Sequence, residues 1–233
     1  MADHTLPEQH RPDLTTPWWV IGALVLCFAM FGYGAKGTNT LGIDLAISNF
    51  VQLIDGRVAN VVAWSGNWLG ERSLAIVLLA MTLVSLALLR QRRDLRFVAI
   101  AAVGRLMAMP LKGWFDSPRP SADQVEILRV YDGLGFPSGH ALTSTVVVGT
   151  AAYLVARHIQ VRAVRWIALG SWIGGMALTG FARIWYGAHW FTDALGGALA
   201  GAVIVLVAAS LSAVIIREES TGRRRQRPQT SAR

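Results

Sequence analysis

Apolar segments long enough to cross roughly 30 Å of hydrocarbon recur along this chain, and they constrain its fold more than any other feature. They run from Trp18 to about Ala35, Ser73 to Leu89, Leu95 to about Leu111, His140 to Val155, Val164 to about Phe181 and Ala194 to Ile216. The predicted fold is therefore all-α: a polytopic membrane protein of six transmembrane helices, with 53% hydrophobic and only 15% charged residues. Residues 41–68 do not fit this scheme. Leu45, Ile47, Phe50, Val51 and Ile54 partly follow helical spacing, but Asp44, Asn49, Gln52 and Asp55 interrupt it. That mixture predicts an amphipathic interfacial helix between the first two spans. A membrane domain then covers residues 17–217, between a polar tail at 1–16 and a basic, disordered tail at 218–233. The first apolar stretch follows a long segment that is not clearly basic and precedes no small-residue cleavage site, so it reads as a retained helix rather than a signal peptide.

A net charge of +8 would suit nucleic acid, but its distribution does not. Arg90, Arg92, Arg93 and Arg96 lie together, as do Arg157, Arg162 and Arg165, and then Arg223, Arg224, Arg225 and Arg227, each group beside an apolar span. This is the positive-inside pattern, and it places both termini and these loops in the cytoplasm, against a minority of Lys36, Arg57 and Arg72 outside. Membrane lipids are the partners it implies, with no nucleic acid. Cys27, inside the first span, has no disulfide or ligand partner and reads as a small core residue. His4 and His10 in the N-terminal tail, and His158 beside a cytoplasmic loop, read as solvated.

Three polar clusters interrupt the apolar pattern between Lys112 and Asp193, and the six-span layout brings all of them to the outer face. In the first, Lys112 emerges from a helix end, while Pro118 and Pro120 break regular helix and let Arg119 fold back towards it. In the second, Pro137-Ser138-Gly139-His140 opens a helix. Its free backbone N–H groups and dipole suit a phosphate oxygen, the Ser138 hydroxyl can add a hydrogen bond, Gly139 allows close approach, and His140 can protonate a leaving oxygen. In the third, Asp193 lies four residues after His189 and can orient its ring, and Arg183 offers a planar fork to phosphate oxygens. Arg105, mid-span and seven residues before Lys112, reads as functional because a charge at that depth costs roughly 2.5–3.5 kcal/mol on insertion scales. Its role stays open between reaching the site, pairing elsewhere and facing water.

The three clusters together resemble the type 2 phosphatidic acid phosphatase superfamily of membrane lipid phosphatases. That pattern is Lys, six residues and Arg-Pro; then Pro-Ser-Gly-His; then Ser-Arg, five residues, His, three residues and Asp. Lys112 to Pro120 and Pro137 to His140 match it, and Arg183, His189 and Asp193 keep the third spacing, with Ala182 where the family carries Ser. The resemblance implies a catalytic set of His189 as nucleophile, His140 as acid and Asp193 as its orienting carboxylate. It also implies that Lys112, Arg119, Ser138, Gly139 and Arg183 hold the phosphate. Three fixed cations can do the work of Mg²⁺, and Asp116, Asp123, Glu126 and Asp132 share a loop without a ligand pattern. No metal and no cofactor are therefore expected.

The implied substrate is a lipid phosphate: undecaprenyl diphosphate, phosphatidylglycerophosphate, phosphatidic acid or lipid A phosphate, acted on outside a bacterial inner membrane. Trp114, Phe115, Trp185, Trp190 and Phe191 suit headgroup depth, as a lipid site or as belt anchors. A lipid phosphotransferase with the same intermediate, a vanadate-dependent haloperoxidase, and a non-enzymatic lipid or ion carrier are the alternatives. The apolar spans count against the second, and the His189–Asp193 spacing and the Pro-Ser-Gly-His helix start against the third.

Overall fold

In a computed structural model, residues 15–37 and 42–226 are described, with side chains as far as residue 215. All regular structure among them is helical: α1 (Trp18–Gly34), α2 (Gly42–Gln52), α3 (Gly56–Leu69), α4 (Arg72–Leu88), α5 (Arg92–Gly104), α6 (Ala108–Phe115), α7 (Gly139–His158), α8 (Arg162–Trp185) and α9 (Phe191–Gln226). Helices α7, α8 and the Phe191–Ile215 part of α9 are long and apolar enough to cross a bilayer. Helices α3 and α4, which meet at a 49° bend, reach that length only as a pair, and α1 is a shorter apolar helix.

Two segments depart from the pattern predicted by hydropathy. The third expected span is broken, because residues 105–107 form a single 3-10 turn between α5 and α6. Pro110 supplies the cause. It has no N–H for the carbonyl of Leu106, and its ring would clash there. Residues 42–69 form two helices rather than one interfacial helix: Gly56 turns the chain at φ 93°, and the Asp55 side chain caps α3. Helix α3 then packs on α8, since Ala59, Ala63 and Gly66 make a stripe of small buried residues. A Cβ on Gly66 would lie 2.2 Å from the Leu178 carbonyl oxygen, so the two backbones touch directly.

The central contact is between α7 and α9, with α8 beside α7. Gly197 and Gly201 of α9 lie against the α7 backbone: an added Cβ would come within 2.4 Å of the Ser138 oxygen and 2.9 Å of the Leu142 oxygen. Phe97, Val98, Leu142, Val146 and Val205 fill the core below. At the end of α7 remote from His140, buried Asp94 accepts from Arg157 Nε at 2.7 Å and lies 2.6 Å from His158 Nε2. His158 is exposed, as expected of a solvated ring, but it also lies against this carboxylate, which Arg157 pairs with from the buried side.

Cys27 faces outward on α1 instead of filling the core. The backbone of α9 continues past Arg217 to Gln226, through part of the expected disordered tail, as its run of Arg, Glu and Gln permits. His4, His10 and the remainder of both tails lie outside the described residues.

Candidate active site

The site lies where the end of α6, the starts of α4, α7 and α9 and the end of α8 meet the loop from Asp116 to Ser138. Helix α6 stops at Phe115, with Asp116 left-handed at φ 47°, and the prolines beyond keep the chain extended. Lys112 anchors the returning loop by donating from Nζ to the carbonyls of Leu134 (2.5 Å) and Gly135 (2.9 Å). Arg119 does the same from Nε to Gly133 (2.9 Å) and from Nη2 to Asp132 (3.2 Å). Its Nη1 donates to the Ala188 carbonyl at 2.6 Å and lies 3.1 Å from His189 Nε2.

A guanidinium can only donate, so Nε2 of His189 presents its lone pair and the ring proton sits on Nδ1. That proton is directed at Asp193 Oδ2, 3.2 Å away, and the same oxygen accepts from the Trp190 backbone N–H at 3.1 Å. The sequence spacing suggests a pair on one helix face. Instead His189 lies in the turn before α9, and Asp193 reaches back from the first turn of that helix as a cap would. Both are almost fully enclosed, at 2% and 0% exposure. Burial first, and then the charges of Arg183, Arg119 and Lys112, hold the His189 ring well below the ordinary imidazole range. It is neutral, with a free lone pair, at neutral pH.

Arg183, in the last turn of α8, is 1% exposed. Its Nη1 donates to Asn67 Oδ1 at 2.7 Å, and its guanidinium carbon lies 4.0 Å over the Tyr131 ring. The Tyr131 hydroxyl donates to the same Asn67 oxygen at 3.2 Å. Sequence reasoning does not find Asn67 or Tyr131: one lies on the misread segment 41–68, the other in a loop with no periodic signal. His140 stands in the first turn of α7, its Nε2 3.8 Å from Glu71 Oε2 at the start of α4.

Lys112, Arg119, Gly139, His140, Arg183 and His189 all border one cavity of about 810 Å³. Arg105 borders it too, which puts that residue beside the site. Ser138 and Asp193 stand behind the wall. The Ser138 hydroxyl oxygen accepts from the Ala141 N–H at 3.5 Å and so caps α7, a role that leaves its own O–H to be donated. Ala182, where the family motif has Ser, is buried in an apolar cluster with Ala59 and Ala63 of α3. A methyl suits that close contact.

Of the aromatics expected at headgroup depth, Trp114 is 64% exposed. Phe115 packs against Phe28 and Phe136, Trp185 donates to the Ile54 carbonyl at 2.8 Å, and Trp190 is buried, so these three are structural. Among the described residues no group of three or more His, Cys, Asp and Glu side chains gathers as a metal-ligand set.

If Asn67 and Tyr131 set the aim of Arg183, Asn67→Ala and Tyr131→Leu should each reduce kcat/KM for a lipid phosphate about tenfold, largely through KM. A steady-state phosphate-release assay reads this directly. A fall in kcat with KM unchanged would contradict a positioning role.

The model of the PAP2 superfamily matches residues 74–216. The chain is 27% identical over 177 residues to phosphatidylglycerophosphatase B of Bacillus subtilis (strain 168), covering 75% of this chain and 86% of that protein. Its fold is similar to the crystal structure of a transmembrane PAP2 type phosphatidylglycerolphosphate phosphatase from Bacillus subtilis, with TM-score 0.70, 25% identity and coverage of 84% and 96%. It is also similar in fold to LpxE from Aquifex aeolicus, with TM-score 0.55, 19% identity and coverage of 75% and 96%.

Proposed function

This chain belongs to the PAP2 superfamily, and on that premise we propose that it is a metal-independent phosphatase of lipid phosphates working through a phosphohistidine. The arrangement around His189 carries the proposal: a neutral ring oriented by Asp193, with its Nε2 lone pair aimed into a cation-lined cavity.

The phosphoryl group would lie among Lys112, Arg119 and Arg183, with Gly139 leaving room beside it. An added Cβ at Gly139 meets no atom within 4 Å. Arg119 Nη1 would transfer from Nε2 to a phosphate oxygen as the substrate enters. Nε2 then attacks phosphorus and the bond to the leaving oxygen breaks, that oxygen taking a proton from His140. Water next attacks phosphorus, His140 accepts its proton, and the P–N bond opens to release phosphate and restore the ring. The imidazolium of the intermediate is stabilised by Asp193, and the phosphoryl charge by the three cations. Glu71 Oε2 lies 3.8 Å from His140 Nε2 and can interact with that ring whenever it carries the proton.

Six crossings, by α1, α4, the broken α5–α6 pair, α7, α8 and α9, would set both termini in the cytoplasm and the site outside a bacterial inner membrane. The arginines at the α4–α5 and α7–α8 turns lie at the helix ends opposite the site, which supports this orientation. Phosphatidylglycerophosphate, polyprenyl diphosphate, phosphatidic acid and lipid A phosphate are the substrate candidates, and transfer to a lipid or sugar acceptor is the rival outcome.

Purified protein in detergent, given this panel in the presence of EDTA, should release inorganic phosphate at the rate seen without chelator. Loss of the activity on chelation, with recovery on adding a divalent metal, would defeat the mechanism. Phosphate appearing only when an alcohol acceptor is absent would favour the transferase.

A further inference from the structure

The cavity is bordered by five basic side chains, of which the reacting phosphate needs Lys112, Arg119 and Arg183. We propose that the other two, Arg72 and Arg105, form a second anion subsite that holds a phosphate group the lipid retains, so that this protein selects lipids bearing two phosphates. The inference rests on the phosphatase function proposed above.

Neither guanidinium has a carboxylate partner among the described residues. The nearest candidate in sequence, Glu71, gives one oxygen to the Arg72 backbone N–H (3.1 Å) and turns the other towards His140 (3.8 Å). Asp132 is the acidic residue on the wall, and it lies at the Arg119 end, where its carbonyl accepts from that side chain. Nε of Arg105 is shielded from solvent and makes no hydrogen bond. Two like charges on one wall at membrane depth, with no protein anion to offset them, fit a ligand that brings its own.

Position gives the class of ligand. Arg72 and Ile76 are four residues apart on α4, and Arg105 and Met109 four apart across the α5–α6 break, so each cation sits a turn from an apolar wall residue. A phosphate held there belongs next to the hydrocarbon tail, while the outer phosphate reaches His189. One phosphomonoester carries about two negative charges, too few for all five cations. A lipid diphosphate, or a phosphodiester lipid with a terminal phosphomonoester, brings a second anionic group for the other two. Arg72 lies before the segment that the family model matches, and the three motifs include neither arginine.

The test compares wild type, Arg72→Gln, Arg105→Gln and Arg105→Lys, all full-length in detergent, on two classes of lipid. Polyprenyl diphosphate and phosphatidylglycerophosphate carry the second phosphate; polyprenyl monophosphate and phosphatidic acid do not. The Gln variants should lower kcat/KM for the first class about ten- to hundredfold more than for the second, through KM, and Arg105→Lys should recover much of the loss. A loss confined to one of the two-phosphate lipids supports the subsite and fixes the spacing it serves. Equal losses on both classes, or none, overturn it. If wild type hydrolyses no lipid phosphate, the proposed function fails. Calorimetric binding of inorganic diphosphate, about tenfold weaker in Arg105→Gln if the subsite exists and unchanged if it does not, still decides the inference.

Discussion

His189→Ala is expected to lower phosphate release at least about 10⁴-fold, with the protein still folded and still binding substrate. The ring supplies the attacking lone pair, and no other imidazole can replace it: His140 faces Glu71 across the cavity mouth and lacks a buried carboxylate behind it. Rapid quenching at alkaline pH after brief exposure to ³²P-labelled substrate should trap label on wild type and none on the variant. Asp193→Asn should show a smaller loss, about 10²- to 10⁴-fold, because an amide can orient the ring but stabilises its charged form poorly. A His189→Ala protein with near-normal turnover would remove the phosphohistidine and require direct attack by water.

The second large effect concerns the scaffold. Gly197→Leu should destabilise the fold by about 3 kcal/mol or more, enough to lose most folded protein in detergent. The added Cβ alone would lie 2.4 Å from the Ser138 carbonyl oxygen and 3.1 Å from the Leu142 nitrogen, and neither is a side-chain tip that can swing away. To make room, α9 must separate from α7, and with it Asp193 from the helix start that carries His140: the Ser138 N–H donates to the Asp193 carbonyl at 2.9 Å. Gly174→Leu is the matched control, since a Cβ there meets nothing within 4 Å. Thermal unfolding followed by size-exclusion profile measures both. Equal stability of the two variants would show that the α7–α9 contact is looser than the geometry implies.

Most of the candidate site groups were legible because the chemistry proposed for them calls for particular residue types in a recognisable pattern. Here prolines flank the cation that folds back, a carboxylate follows the histidine by four residues, and a serine and a glycine open the helix. Lys112, Arg119, His140, Arg183 and His189 all border one cavity, and Asp193 stands behind His189. A hydroxyl at a helix start can accept from its own backbone and donate to a ligand; the Ser138 oxygen takes the first role towards Ala141.

What the amino-acid sequence determined by itself was local: apolar runs that become helices, and the three clusters at their ends. What only the tertiary structure decided was which distant groups meet. Segment 42–69 lacks one continuous period because it holds two helices that break at Gly56, and the placing of Asn67 under Arg183 followed from the packing of α3 on α8. Tyr131 reaches the same arginine from a loop held by Lys112 and Arg119. Arg72 and Arg105, 33 positions apart in the chain, share a wall because α4 packs on α5. Such contacts depend on helix separation and rotation, which are set by the sum of many side-chain contacts across the bundle and are written in no single stretch of residues.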